Sequence, residues 1–250
     1  MARQASAAGH AVVGTATTGA NGWVPVDVAD RRAVRALISA VQPKLVVNTV
    51  WGKWRVSADG AANVAAEAAR VGARIVHVST DAVHAGRPRP YVEADPPAPV
   101  TLYGAGKAAA ETAVAAIDPA AVIVRTSLIV GTDQSKQVRM VLDLVSGKRE
   151  GTLFVDEVRC PVHVADLASA ILELADSRYA GILNVAGPEA ITRAEFGRLV
   201  ARRRGIDESA VPVGRSAEGG LGPRPLDVRL DCSLARRLLR TRLRPVSECV

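Results

Sequence analysis

Tyr103 and Lys107 stand four residues apart at the head of an alanine-rich segment, so on a helix they share one face. A phenol has an ordinary pKa near ~10, and a neighbouring ammonium is expected to favour its ionised form and lower that value. Such a pair can pass a proton to or from oxygen near neutral pH. Upstream, the apolar run Ile75 to Val78 stops at Ser79, Thr80 and Asp81. That pattern predicts a buried parallel strand with polar groups at its carboxyl end, where open α/β sheets bind their ligands. A hydroxyl from Thr80 or Ser79 would hold a carbonyl oxygen against Tyr103. Together these groups suit proton donation to an oxygen while a nicotinamide delivers hydride to the adjacent carbon, which is ketone reduction or its reverse. Tyr-x-x-x-Lys alone is a weak signal; its place after a strand ending in Ser-Thr-Asp and a proline-rich loop raises it.

The remaining elements must form a sheet that can position these groups. Residues 1 to 10 read as the back half of a helix stopping at Gly9, followed by short strands over Ala11 to Thr15 and Trp23 to Asp27. Asp30 is a plausible N-cap for a helix over Arg31 to Val41, whose Val34, Leu37, Ile38 and Val41 follow helical spacing. Leu45 to Val50 is a buried strand with Asn48 and Thr49 at its end, and an alanine-rich helix runs from Asp59 to Val71, closed by Gly72. Ala121 to Val130 reads as one long central strand, with Arg125, Thr126 and Ser127 at its middle. Helices are expected over Gln137 to Ser146, from a cap at Asp166 to Leu174, and over Arg193 to Arg204, where Thr192 and Glu195 form a capping box. Ile182 to Val185 adds a strand, and Ser233 to Leu239 a last helical stretch. The βαβα alternation predicts an α/β fold: a doubly wound, Rossmann-like parallel sheet with helices on both faces. Residues 1–131, with 161–186 returning, would form the dinucleotide-binding core. Residues 132–160 and 187–250 would form a small substrate-binding cap.

Composition limits the alternatives. No window approaches a membrane span, and no leader with a cleavage site opens the chain, so a soluble cytoplasmic protein is expected. The formal charge of +7 comes from 32 basic against 25 acidic residues, with much of the excess in Arg202 to Arg204 and Arg236 to Arg244. Those arginines lack interleaved aromatics or a recognition-helix pattern, so nucleic-acid binding is not expected; a solvated basic face is. Cys160, Cys232 and Cys249 have no zinc or disulfide spacing, and His77 and His163 read as structural histidines. No metal is expected.

Several runs carry a family resemblance. HVSTDAVHAG, PYVEADPPAP, YGAGKAAAE and VRTSLIVG, in that order, closely resemble the extended short-chain dehydrogenases of the dTDP-4-dehydrorhamnose reductase type. VDVAD, LVVNTV, CPVHVADLASAI, NVAG and the terminal RPLDVRLDCSLARRLL extend the likeness over nearly the whole chain. The resemblance implies catalytic positions at Thr80, Tyr103 and Lys107. It implies an adenine-side loop at Asp27 and Val28, a strand end beside the cofactor at Asn48, Thr49 and Val50, and cofactor contacts from Tyr103 and Lys107 themselves. Ser79, Asp81, Arg125, Thr126 and Ser127 would line the substrate side. The implied reaction reduces a keto group on a nucleotide-linked sugar, with NADP or NAD as cofactor and NADPH the family habit. A homodimer is left open.

The departures matter as well. No glycine-rich turn follows a first strand, and a start upstream of Met1 is the favoured explanation; otherwise the chain would not hold a dinucleotide in the usual way. After AVVGT the chain gives Ala16, Thr17 and Thr18, neither an acid for a ribose diol nor an arginine for a 2′-phosphate. The segment between Asn48 and Ser79 is shorter than usual, with Trp51, Gly52, Lys53 and Trp54 as candidate substitutes for the substrate contacts drawn from there. His84 replaces a phenylalanine and Leu128 a tryptophan. Two other functions stay open. One is a non-catalytic binding protein like the regulatory subunit of methionine adenosyltransferase, which the chain also resembles; the other is a sugar-nucleotide epimerase or dehydratase.

Overall fold

The computed structural model describes residues 1–19, 22–131, 133, 135–220 and 222–250. A short helix, α1 (Ala2–Ala7), is followed by two-residue strands β1 (Thr15–Ala16) and β2 (Val24–Pro25), which pair parallel with each other. The strand expected over Ala11 to Thr15 is thus confined to its end, because only Thr15 and Ala16 find partners, in Val24 and Pro25. Helix α2 (Arg31–Val41) starts at Asp30, whose carboxylate accepts from the Arg32 and Ala33 N–H groups. Strand β3 (Leu45–Asn48) leads to a π-helical turn, Arg55–Asp59, that runs directly into α3 (Gly60–Arg70). Then come β4 (Arg74–Val78), α4 (Leu102–Ile117) and β5 (Val122–Arg125).

The main sheet is completed by β10 (Gly181–Asn184), in the order β10-β5-β4-β3, with every pair parallel. Strand alternation sends its side chains to two apolar layers. Ile75 of β4 and Ile123 of β5 join Val34, Ile38, Val64, Ala68, Ala110 and Val114 from α2, α3 and α4. Val76, Val122, Val124 and Leu183 face the other way, toward Leu167, Ile171 and Leu174 of α6 (Val164–Asp176) and Ala235 of α8 (Ser233–Leu238). Helices on both faces make this a doubly wound α/β sheet. Glu67 of α3 ties the first helical layer together, accepting from Arg31 and Arg35 of α2 and from its own Arg70.

The run from Ala121 to Val130 is not one strand but two. After Arg125 the chain leaves the main sheet, and β6 (Ile129–Val130) pairs instead with β9 (Val162–His163). The bend lies at Thr126 and Ser127, where the Ser127 hydroxyl is engaged by Asp81 and by the Cys160 N–H. The helix expected to be capped by Asp166 starts one turn earlier: His163 Nδ1 caps α6 by accepting from the Ala165 N–H, freeing Asp166 to hold Arg244. A third apolar cluster gathers Val138, Val141 and Leu144 of α5 (Lys136–Val145), Leu153 of β7 (Leu153–Phe154), and Phe196 and Val200 of α7 (Arg193–Arg203). Short ladders link this part of the chain: β7 with β12 (Val213–Gly214), and β8 (Val158–Arg159) with β11 (Ile191–Thr192). The Thr192–Glu195 capping box at the head of α7 is formed as expected. Among the described residues, no helix is long and apolar enough to cross a membrane.

Candidate active site

The polar residues that follow the apolar strands lie at three depths. In the deepest layer, the Ser79 hydroxyl donates to Glu111, and Arg125 pairs with the same carboxylate at 2.8 Å. Arg125 is 0 % exposed and its Nη1 donates to the Asp95 and Glu93 carbonyls at 3.2 and 3.4 Å. Expected on the substrate side, Arg125 and Ser79 instead form a sealed strut between β5, α4 and the 87–97 loop. An arginine buried in a β strand is retained only with a counter-charge, and Glu111 supplies it. His84 belongs to the same layer: it is buried, stacks on Tyr91 at 3.9 Å, and burial pushes its pKa down to about 4.

Lys107 occupies the middle layer, 2 % exposed. Its Nζ donates to the Val78 carbonyl at 2.6 Å and the Val50 carbonyl at 3.4 Å, with His77 Nε2 at 3.2 Å. Burial lowers its pKa to about 8, and the same burial, with the Lys107 charge beside it, holds His77 well below its ordinary value. Asn48 shapes the neighbouring strand end by accepting from the Val50 N–H. Its Nδ2 is buried and finds no partner among the described residues; the same is true of the Thr126 hydroxyl at the end of β5. Thr49 is exposed beside them.

Thr80 and Tyr103 form the mouth. The β4–β5 ladder continues past the strand, with the Ser79 N–H on the Val124 carbonyl and the Asp81 N–H on the Thr126 carbonyl, both at 2.7 Å. This fixes the Thr80 backbone, and its hydroxyl caps the 81–83 turn by accepting from the Ala82 N–H. Thr101 starts α4 by accepting from the Gly104 N–H. Gly104 makes the approach possible: a Cβ there would lie 2.1 Å from the Ala82 carbonyl oxygen. With no side chain at 104, the head of α4 presses on the turn that carries Thr80, leaving the Tyr103 ring 40 % exposed.

The phenol's pKa is raised, not lowered. Burial and the Asp81 charge push it up, against a hydrogen bond from Thr80 that favours the ionised form. The expected effect of Lys107 is missing because its ammonium is turned to Val50, Val78 and His77. Asp81 itself is buried, accepts from Ser127 at 2.6 Å and lies 3.7 Å from Arg159; burial dominates and raises its pKa. Behind Asp81, Glu157 pairs with Arg159 and Arg224, each at 3.0 Å, and Arg193 adjoins them. None of Glu157, Arg159, Arg193 and Arg224 is singled out as functional by the sequence; for Glu157 and Arg159, charges set in the apolar run FVDEVRCPV are the available signal.

Asp27 and Val28 sit apart, after β2. Asp27 accepts from the Ala29 N–H, and Val28 is buried against Gly60 with its carbonyl held by Asn63. Trp51 and Trp54 are 67 % and 50 % exposed, and Lys136 Nζ stands 5.2 Å from the Trp51 ring. A cavity of about 500 Å³ lies elsewhere, lined by Glu93, Asp118, Gly181 and Ile182, and touches none of these groups. The strand-end chemistry, not cavity size, marks the site. For a dinucleotide, the groups that fit its nicotinamide end are at the strand ends: Asn48 Nδ2 and the Thr126 hydroxyl are buried without partners among the described residues, and Tyr103 is accessible.

A parallel sheet with a Ser-Thr-Asp strand end, and a Tyr-x-x-x-Lys helix pressed onto it, defines the short-chain dehydrogenase class. The match to the RmlD substrate binding domain spans residues 1–250, and the chain belongs to that family. It is 30 % identical over 238 residues to the spore coat polysaccharide biosynthesis protein SpsK of Bacillus subtilis, covering 90 % of this chain and 82 % of that one. It is 37 % identical over 179 residues to the dTDP-4-dehydrorhamnose reductase of Mycobacterium tuberculosis strain H37Rv, covering 69 % of this chain and 58 % of the enzyme. The crystal structure of dTDP-4-dehydrorhamnose reductase from Bacillus anthracis in complex with NADP superposes with a TM-score of 0.81 at 25 % identity, covering 89 % of this chain and 84 % of that one.

Proposed function

We propose that this chain reduces a keto group on a nucleotide-activated sugar, using NADPH or NADH. The observation that carries the reading is the contact of α4 with the Thr80 turn through Gly104, which sets an accessible phenol beside a fixed hydroxyl. A reduced nicotinamide held at the carboxyl ends of β3, β4 and β5 would supply the hydride. Asn48, Thr49, Val50 and Lys107 would hold its nicotinamide and ribose end, and Asp27 and Val28 its adenine side.

Thr80 and Tyr103 orient the substrate carbonyl by donating hydrogen bonds to its oxygen. Tyr103 then gives that oxygen the proton from its Oη. A raised pKa keeps the phenol protonated at neutral pH, which suits a donor in the reductive direction. Lys107 keeps a positive charge beneath the site and pins the Val50 and Val78 carbonyls, so the ends of β3 and β4 hold their spacing. Thr126 and Ser127 line the substrate side, Ser127 by orienting Asp81.

The test is purified protein with NADPH and a dTDP-4-keto-6-deoxyhexose, following loss of the reduced cofactor. Turnover is expected, and Tyr103→Phe should lower kcat by roughly 10²- to 10⁴-fold while NADPH titrates as before. Wild-type protein that binds NADPH without consuming it would replace this reading with that of a binding protein.

A further inference from the structure

His77 lies fully buried on β4, on the same face as Ile75 and therefore against the layer of α3 and α4. β3 and β5 place Asn48 and Ile123 at the register positions paired with it. Lys107 Nζ stands 3.2 Å from His77 Nε2, 2.6 Å from the Val78 carbonyl and 3.4 Å from the Val50 carbonyl. An ammonium has three N–H donors and accepts nothing, so all three are met from the floor of the site and none is left for the phenol one turn back. The same count settles the imidazole. Because Nζ can only donate, Nε2 must accept, and the ring is neutral with its proton on Nδ1.

That proton is unmatched: Nδ1 is buried and has no hydrogen-bond partner among the described residues. A leucine would fill the position without burying an unpaired N–H, which is costly. What a leucine lacks is the acceptor. The carboxylates of the surrounding helices are spent elsewhere. Glu111, one turn beyond Lys107 on α4, pairs with Arg125 of β5 and accepts from Ser79, and Glu67 of α3 is taken by Arg31, Arg35 and Arg70. The Lys107 ammonium therefore rests on neutral acceptors, and His77 is the one supplied by a side chain.

We propose that His77 is the positioning residue for Lys107: its neutral imidazole accepts the third N–H and holds the ammonium turned to the ends of β3 and β4 instead of toward Tyr103. A hydrogen bond to the charged form favours that form, so His77 works against the burial that brings the Lys107 pKa down to about 8. The catalytic consequence rests on the reductase reading: the positive charge acts through the floor of the site, and Tyr103 keeps its proton for the carbonyl oxygen. The contact between His77 and Lys107 does not depend on that reading.

NMR of the full chain reads Lys107 directly. There are five lysines, so with isotope-labelled lysine the Lys107 Cε signal is the one missing from Lys107→Arg. In the wild type it should titrate near pH 8. In His77→Leu it should titrate about one to two pH units lower, the loss expected for a hydrogen bond to a charged group, and the alkaline limb of kcat/KM should move with it. His77→Gln, which restores a neutral acceptor, should return both toward the wild type. A histidine that only packed would move neither. Nitrogen spectra of the four histidines, with His77→Gln to assign the signal, should show the His77 proton on Nδ1 at neutral pH, and this wild-type measurement stands even if His77→Leu fails to fold. A Lys107 titration unmoved in His77→Leu, an equal fall in His77→Gln, or a proton on Nε2 would each overturn the proposal. Titration and tautomer as expected, without turnover, would remove the reductase reading and retain the hold of His77 on Lys107.

Discussion

Arg125 and Arg193 are both buried arginines near strand ends, and they differ in what is left over. Arg125 has a carboxylate on one side and two loop carbonyls on the other, so it works as part of the frame. Arg193 has one amide oxygen for Nη2 and nothing described for Nη1. Ser79, beside Arg125, spends its hydroxyl on Glu111, whereas Asn48 Nδ2 and the Thr126 hydroxyl, at the ends of β3 and β5, are unmatched. Proteins satisfy nearly all their buried polar groups, so each unmatched one calls for an explanation; His77 Nδ1 and His84 Nδ1 are unmatched as well, inside the frame, so a missing partner alone does not mark a ligand. Of the residues expected to touch substrate, Ser79 and Arg125 are committed to Glu111, while the Thr126 hydroxyl has no partner among the described residues.

The largest expected effect falls on the saturated side. Arg125→Met should destabilise the fold by about 3–5 kcal/mol, because it strands the Glu111 carboxylate in an apolar layer. Replacing both partners, as Arg125→Met with Glu111→Leu, should recover most of that loss, and chemical denaturation of the three proteins reads both numbers. Arg193→Gln leaves no carboxylate stranded, since Glu157 keeps Arg159 and Arg224, and should cost far less stability. Equal destabilisation by Arg125→Met and Arg193→Gln would break the distinction between the two arginines.

A middle-sized effect is expected where the two regions meet. Gly104→Ala puts a methyl 2.1 Å from the Ala82 carbonyl oxygen, so α4 must back away from the Thr80 turn. Overpacking of this kind costs about 1–3 kcal/mol, and the activity loss should exceed that share because Tyr103 moves with the helix. Thermal melts beside steady-state kinetics separate the two; a variant with normal kcat would show that the close approach does not set the geometry.

Gly104 also marks how far the sequence could be read. Continuous apolar runs mark β3, β4 and β10, and helical apolar spacing with caps marks the helices around them, because both are local properties. The Thr192–Glu195 box was legible for the same reason. The break at Thr126 was not, since it depends on β9, more than thirty residues away, taking up β6. Nor could the sequence say where Lys107 points. The Tyr103–Lys107 spacing places both on one helix face, but the Val50 and Val78 carbonyls and His77 reach Lys107 from two other strands. The pairing of Arg125 with Glu111 was hidden likewise: an arginine after an apolar run reads as a strand-end ligand until its partner is known.

Lys107 supplies the smallest and sharpest test, because it is saturated like Arg125 yet lies directly under the mouth. Burial lowers its pKa from 10.5 to about 8, with the Glu111 charge opposing the shift and His77 beside it neutral. Between those two values the unfolded chain holds a proton that the native chain has shed, so this residue's contribution to stability rises with pH across that window. Below about 8 the ammonium is charged in both states and its burial is a standing cost. Catalysis should run the other way. Deprotonation removes the positive charge beneath the site and one of the three donors, so kcat/KM should fall above pH 8 by about tenfold per unit, while the raised Tyr103 pKa adds no limb in that range. Lys107→Arg keeps a charge throughout and should carry the limb out of the measurable range, whatever its effect on the plateau. A limb unmoved in that variant would place the titration on another group and return Lys107 to the frame.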